Sequence, residues 1–243
     1  MDRTQHRQGE RLMPPASDRG AGADLPNDPA PTERRERQPD RPLDHASWDR
    51  RYSQAELVWS ATPNQCFAEE VAPLAPGRAL DLGSGKGRNA VWLAERGWDT
   101  TAVDFSGVGI EKARSLAARR GCSVTWIVED LLTFRPAAHA FDLVALVYIH
   151  LPALQRRQVL TTAVRALAPA GRLVVVGHDR SNLLAGVGGP QDPSILFTPE
   201  EIVSDLDGLD IVRSQKVVRH VTTPDGERDA IDALVVAVAP GAA

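Results

Sequence analysis

Ala79-Leu80-Asp81-Leu82-Gly83-Ser84-Gly85-Lys86-Gly87-Arg88-Asn89 decides the fold. An apolar run ends in an acid, three glycines follow at alternate positions, and a helical pattern starts at once. Glycine lacks Cβ, so the backbone can turn sharply there and come close to a ligand. The helix behind the loop leaves its first N–H groups without intrahelical partners. The next apolar run, Thr101-Ala102-Val103, also ends in an acid, Asp104. An acid at the tip of a second parallel strand is placed to hydrogen-bond ribose hydroxyls. Together these features predict a nucleoside-cofactor pocket on a doubly wound α/β sheet.

The glycine spacing separates the candidate cofactors. Dinucleotide sites use G-x-G-x-x-G and hold a pyrophosphate at the helix N-terminus. Here the third glycine comes one place early, and Arg88 stands where the dinucleotide pattern requires glycine. The carboxylate of Asp81 beside the loop disfavours a pyrophosphate and suits a cationic ligand. S-adenosylmethionine carries an ammonium and a sulfonium and no phosphate. The spacing D-x-G-x-G-x-G resembles motif I of the class I S-adenosylmethionine-dependent methyltransferases.

Working outward, the 243 residues suggest one domain with a tail. Residues 1–42 contain seven prolines, eight arginines and eight acids, but no Val, Ile, Phe, Trp or Tyr. Such a segment cannot bury enough apolar surface to offset its ordering entropy, and it reads as a disordered tail. The domain is expected over 43–243. A net charge of −4 gives no global basic field, so nucleic acid is not an expected partner. Cys66 and Cys122 are the only cysteines and lie far apart, which argues against a disulfide framework or a cysteine-based metal site. No apolar run is long enough for a membrane span, and no signal-peptide pattern opens the chain. A cytoplasmic protein, monomeric or homodimeric, is the expectation.

Strand and helix signals alternate along the rest. Short apolar runs at Arg78–Leu82, Thr100–Asp104, Ser123–Val128, Phe141–Val147 and Arg172–Gly177 have the form of strands buried on both faces. Between them, Lys86–Arg96, Val108–Arg120 and Pro152–Leu167 read as helices, punctuated by Gly97, Gly121 and the leading proline. Thr198-Pro199-Glu200-Glu201 is a capping box opening a short helix. Ile211–Val221 and Ala230–Val238 flank the turn signal Pro224-Asp225-Gly226 and must pair antiparallel. Five parallel strands and a closing hairpin fit a seven-stranded Rossmann-like sheet of order 3-2-1-4-5-7-6, with strand 7 antiparallel. Nicotinamide-dependent oxidoreductases are disfavoured by this hairpin and by the glycine spacing.

Several residues carry a narrower resemblance. Gly85-Lys86-Gly87-Arg88-Asn89-Ala90, with Leu93-Ala94 and Gly97, resembles the loop of the tellurite-resistance methyltransferases. Trp48-Asp49-Arg50-Arg51-Tyr52, then Trp59 and Pro63-Asn64, is similar to the lead-in segment of the thiol, thiopurine and halide methyltransferases. The resemblance implies that Asp81, Leu82, Gly83, Ser84, Gly85, Gly87 and Asn89 cradle the methionine part, with Asp81 facing its ammonium through water. It also implies that Asp104 takes the ribose hydroxyls and Phe105 packs on adenine. Asp130 and the Leu131 amide would meet the adenine edge, and Val147 would offer a carbonyl near the ammonium. Trp48 and Tyr52 would close over the cofactor. Each also has a plainer alternative: Asp130 as the cap of the turn into Leu131-Leu132, and Trp48 and Tyr52 as one packed helix face.

Ligands of open α/β sheets sit beyond the carboxyl ends of the strands. Tyr148-Ile149-His150 leaves strand 4 and His178-Asp179-Arg180 leaves strand 5, so Tyr148, His150 and His178 are the catalytic candidates. The loop 181–197 is unusually long and is placed to wall the acceptor side. The expected activity is transfer of a methyl group from S-adenosylmethionine to a small-molecule acceptor, with thiols and chalcogen anions among the candidates. An ionised soft nucleophile needs little beyond approach geometry, whereas a hydroxyl or amine needs a general base such as histidine. An O- or N-methyltransferase of natural-product metabolism and a non-catalytic S-adenosylmethionine-binding protein are the alternatives.

Overall fold

Arg78–Leu82 forms β1, with four of its five residues buried. The computed structural model describes Asp49, Ser53, residues 62–223 and residues 226–241. The tail 1–42, Trp48, Tyr52 and Trp59 lie outside the described residues. β1 pairs in parallel with β2 (Asp99–Asp104) on one side and with β4 (Phe141–Val147) on the other. β3 (Thr125–Val128) and β5 (Leu167–His178) extend the parallel sheet outward. β7 (Gly226–Val238) then runs antiparallel to β5, and β6 (Asp210–Thr223) closes the edge against β7. The order is β3-β2-β1-β4-β5-β7-β6, as the apolar runs and the terminal hairpin predict.

Side-chain alternation sorts these strands onto two faces. Leu80, Leu82, Val144, Leu146, Leu173 and Val175 pack on one face with Leu160 and Ala163 of α4 (Ala153–Ala166) and Ile202 of α6 (Pro199–Ser204). Ala79, Leu143, Ala145, Val174 and Val176 pack on the other with Phe67 of α1 (Gln65–Val71) and Leu93 of α2 (Arg88–Glu95). Asp81 alternates onto that second face, 1% exposed between the core residues Leu80 and Leu82. α3 (Gly107–Arg120) follows β2, capped by the Ser106 hydroxyl and closed by the left-handed Gly121. The capping box at Thr198 and Glu201 forms as its sequence predicts.

Three differences from the sequence expectation matter for the site. β5 begins at Leu167 rather than Arg172, because Leu167 already pairs with Phe141 before a register shift resumes the ladder at Arg172. The hairpin strands are longer than their apolar cores. The β5–β7 ladder ends at His178 opposite Asp232, while β6 and β7 continue pairing to Thr223 opposite Gly226. A polar arm therefore projects past the carboxyl end of β5. Finally, the 181–197 loop holds a short helix, α5 (Asn182–Ala185), and a 3₁₀ turn at Pro193–Ile195. The buried Asn182 fastens this loop to the arm. Its Oδ1 accepts from the Ile231 amide at 2.7 Å, its Nδ2 donates to the Gly188 carbonyl at 3.0 Å, and the Val187 amide reaches the Asp229 carbonyl at 2.9 Å.

Candidate active site

The glycine loop rises directly from β1. Gly83, Gly85 and Gly87 all have left-handed φ values of 76°, 54° and 78°. At Gly87 a Cβ would also come within 2.5 Å of the Trp126 ring and 2.8 Å of the Ala113 methyl, so α2 and α3 can approach only across a bare backbone. Gly87 serves as the N-cap of α2 without any side-chain cap. The amides of Gly83 and Ser84 bond the Val103 carbonyl at 2.8 and 3.0 Å, tying the loop to the end of β2. Asp104 completes the clamp: its Oδ2 accepts from the Gly85 amide at 2.8 Å and its Oδ1 from the Ser106 amide at 2.9 Å.

Beneath this loop two polar atoms are buried with no hydrogen-bond partner among the described residues, Asp81 Oδ2 and Ser84 Oγ. Buried oxygens without donors are costly, and a native structure keeps them for a reason. Burial, and then the nearby Asp104 carboxylate, push Asp81 up to about 7, against the opposing pull of Arg88. A cationic ligand would supply the missing donor to Asp81 and favour its charged form. The residues present therefore fit the ammonium end of S-adenosylmethionine.

At the ends of β4 and β5 a second polar cluster forms. Tyr148 takes a left-handed φ of 60°, unusual for a side chain of this size and typical of functional turns. Its Oη donates to Asp232 Oδ2 at 2.6 Å and accepts from Asn64 Nδ2 at 3.1 Å. Asn64 also caps α1 and donates its amide to Asn89 Oδ1 at 3.0 Å, so it joins three elements beside the site. His178 stands directly across the ladder from Asp232. Its Nδ1 lies 3.0 Å from Asp232 Oδ1, an ion-pair distance, although the oxygen sits off the line of a straight hydrogen bond. Arg219, on the same face of β6 and one diagonal step away, brings Nε to 3.1 Å from Asp232 Oδ2. Burial pushes the Asp232 carboxyl up, but His178, Tyr148 and Arg219 outweigh it and hold the group below its ordinary value.

The two histidines differ in what they can do. His150 Nε2 accepts from the His178 backbone amide at 3.0 Å, which fixes its proton on Nδ1. Burial, then His178, push His150 down to about 3. His178 faces Asp232 through Nδ1, and its Nε2 makes no hydrogen bond among the described residues. A proton on Nδ1, facing the carboxylate, would leave Nε2 with a lone pair. The rings stack: His150 and His178 centroids are 5.4 Å apart, Tyr148 and His178 4.8 Å. Burial and the Asp232 charge raise Tyr148 well above the usual phenol range, so it stays protonated.

The long loop lies against His178. Gly189 has φ 76°, and a Cβ there would come within 2.4 Å of His178 Cδ2 and 2.8 Å of Nε2. Gly189→Ala is expected to lift the loop from the ring, costing about 1–2 kcal/mol of stability. It should raise the acceptor KM with the cofactor Kd unchanged; an unaltered KM would detach the loop from the acceptor side.

The sequence candidates thus fall into two groups of neighbours. Asp81, Leu82, Gly83, Ser84, Gly85, Gly87 and Asp104 meet at the loop, with Phe105 following Asp104 and Asn89 in the first turn of α2. Asp49 Oδ1 accepts from the Ser106 hydroxyl, which places Asp49 at the end of β2. Asp130 is exposed, and its Oδ1 accepts from the Leu132 amide at 2.9 Å, the turn-capping geometry weighed for it. Leu131 and Val147 are buried nearby in the two cores. Asp232, Arg219 and Asn182 went unnoticed in the sequence. The signal for Asp232 was an acid inside the apolar run Ala230–Val238.

Residues 79–171 match the family model of a methyltransferase domain. A curated relative is the 2-heptyl-1-hydroxyquinolin-4(1H)-one methyltransferase of Mycobacteroides abscessus, 32% identical over 133 residues, 53% of this chain and 57% of that protein. The chain spans about half the length of the curated relatives it matches. Among solved structures, one from work on the conversion of a disulfide bond into a thioacetal group during echinomycin biosynthesis superposes with a TM-score of 0.65. It is 21% identical, covering 82% of this chain and 93% of the other. The N-methyltransferase NodS of Bradyrhizobium japonicum, in complex with S-adenosyl-L-homocysteine, superposes with a TM-score of 0.63 at 19% identity, covering 81% and 98%. These likenesses bear on the fold, which is the Rossmann-like fold of methyltransferases.

Proposed function

We propose that this protein transfers a methyl group from S-adenosylmethionine to a small-molecule acceptor whose nucleophilic atom arrives protonated. Asp81 Oδ2, buried beneath a left-handed glycine loop with no partner among the described residues, carries the cofactor half of this reading. The methyltransferase-domain match over 79–171 supports it. When bound, S-adenosylmethionine supplies an activated methyl group. Asp81 and Ser84 would hold the ammonium end, and Asp104 would keep the loop in shape while turning its remaining lone pairs to the ribose.

His178 Nε2 would take the acceptor's proton. Asp232, 3.0 Å from Nδ1, would favour the tautomer that leaves Nε2 its lone pair and would face the charge that develops on the ring. The bound cofactor would give up its methyl carbon to the acceptor's lone pair and keep the carbon–sulfur electron pair as a thioether, while His178 Nε2 would receive the acceptor's proton. His150 and Tyr148 position this pair: His150 binds the His178 backbone, and Tyr148 holds Asp232. The dyad favours a hydroxyl or amine over the thiol or chalcogen acceptor that the tellurite-type loop suggests, since an ionised nucleophile would not need it.

Thermal unfolding with each ligand tests the cofactor half. S-adenosylhomocysteine at a hundredfold over its Kd should add about 2.7 kcal/mol, and NAD should add nothing. Stabilisation by NAD alone would overturn the reading.

A further inference from the structure

Arg88 opens α2 immediately behind the glycine loop, and its guanidinium is half-buried. Its Cζ lies 5.7 Å from the Tyr148 ring centroid, and Arg219 Cζ lies 5.8 Å from the same centroid. The two arginines are not equivalent. Arg219 has Asp232 at 3.1 Å. Arg88 makes no hydrogen bond or ion pair among the described residues. Stacking on a ring answers its charge but none of its N–H donors. Burial and the second guanidinium both work against the charge on Arg88, while Asp81 and Asp232 support it from a distance. Neither carboxylate is available as a partner. Asp232 is engaged by Tyr148, Arg219 and His178, and Asp81 faces the cofactor's ammonium in the reading above.

We infer that Arg88 is the anion-binding residue of the acceptor site, and that the acceptor is a small organic acid carrying the hydroxyl or amine to be methylated. The inference rests on the proposed function and names its substrate class. A guanidinium fork pairs with a carboxylate through two parallel hydrogen bonds, which a neutral acceptor cannot replace. The His178 ring centroid is 4.8 Å from the Tyr148 centroid that Arg88 also faces. One acceptor spanning about a ring's width would therefore set its anionic group on Arg88 and its protonated nucleophile at His178 Nε2, with Tyr148 between them as a platform.

The test uses the full chain saturated with S-adenosylhomocysteine and titrated calorimetrically. The probes are acetate, benzoate, salicylate and 2-naphthoate, each beside its neutral carboxamide. At least one carboxylate should bind about tenfold or more tightly than its amide, the gain expected of a charge-assisted pair. Arg88→Met should erase that preference with the Kd for S-adenosylhomocysteine unchanged. Arg88→Lys should keep part of it, and this variant carries the comparison should the methionine form not fold. Absence of any preference in the wild type, or its persistence in the methionine variant (or at full strength in the lysine variant), would overturn the inference. So would a loss of S-adenosylhomocysteine affinity in the methionine variant, which would move Arg88 to the cofactor. Failure of the wild type to bind S-adenosylhomocysteine would bring down the functional reading itself.

Discussion

His178→Ala is expected to lower turnover about 10²–10⁴-fold while leaving the affinity for S-adenosylhomocysteine intact. The expectation follows from His178 Nε2, which makes no hydrogen bond among the described residues. Nδ1 faces Asp232 at 3.0 Å. Asp232→Asn should lower kcat by less and leave KM for the acceptor closer to wild type, because the amide can still occupy the space but no longer faces a developing imidazolium with a full charge. His150→Ala should behave differently. Its Nε2 accepts the His178 amide, so its loss leaves a part-buried N–H unpaired and costs about 1–3 kcal/mol of stability. The turnover of the folded fraction should fall far less than in His178→Ala. Single-turnover kinetics, scaled to the fraction folded, separate the two. Equal losses in both histidine variants would return His178 to a packing role. An unchanged His178→Ala turnover would instead favour an acceptor that arrives already ionised.

The contrast between the histidines marks where sequence reading stopped. Both stand at strand ends, and a sequence shows them as equals. What divides them is register. His178 lies opposite Asp232 only because β5 and β7 pair antiparallel with His178 as the last rung. A one-residue slip would turn Asp232 to the opposite face. Apolar runs locate strands but leave such rungs open, so Asp232 and Arg219 escaped notice although the hairpin that carries them was expected. The glycine loop was legible for the opposite reason. Its function sits in contiguous residues, and each left-handed φ demands the glycine that the sequence displays. Asp104 falls between these cases. Its place at the tip of β2 follows from the apolar run, but its carboxylate spends one oxygen on the Gly85 amide and the other on the Ser106 amide, contacts set by how the loop folds back. The short helix α5 has too few residues for a periodic pattern, and the Asn182 bonds that fasten it reach across to the arm of another strand.

Asp81→Asn should have opposite effects on the ligand-free protein and on cofactor binding. In the unfolded chain this carboxyl ionises near its ordinary value of 3.8, whereas in the folded protein burial and Asp104 hold its proton to about 7. Between those values the folded state binds more protons than the unfolded state. Stability contributed by the protonated group is therefore fully present below pH 3.8 and is lost as the pH rises through 7. Asparagine carries no such penalty. The variant should be more stable than wild type at pH 8 by an amount on the order of 2–4 kcal/mol, a difference that shrinks towards pH 4. Binding should move the other way. A carboxylate facing an ammonium contributes about 1.5–3 kcal/mol more than leaving it unmet, so the variant should bind S-adenosylhomocysteine roughly ten- to a hundredfold more weakly at pH 8. Wild-type affinity should also fall as the pH drops below 7, because the ammonium must expel the Asp81 proton. Calorimetry in buffers of different ionisation enthalpy should register that proton at pH 6 in the wild type and not in Asp81→Asn. Equal affinities of the two proteins from pH 6 to 8, with no proton released, would remove Asp81 from the ammonium and leave its buried oxygen to be explained by the fold alone.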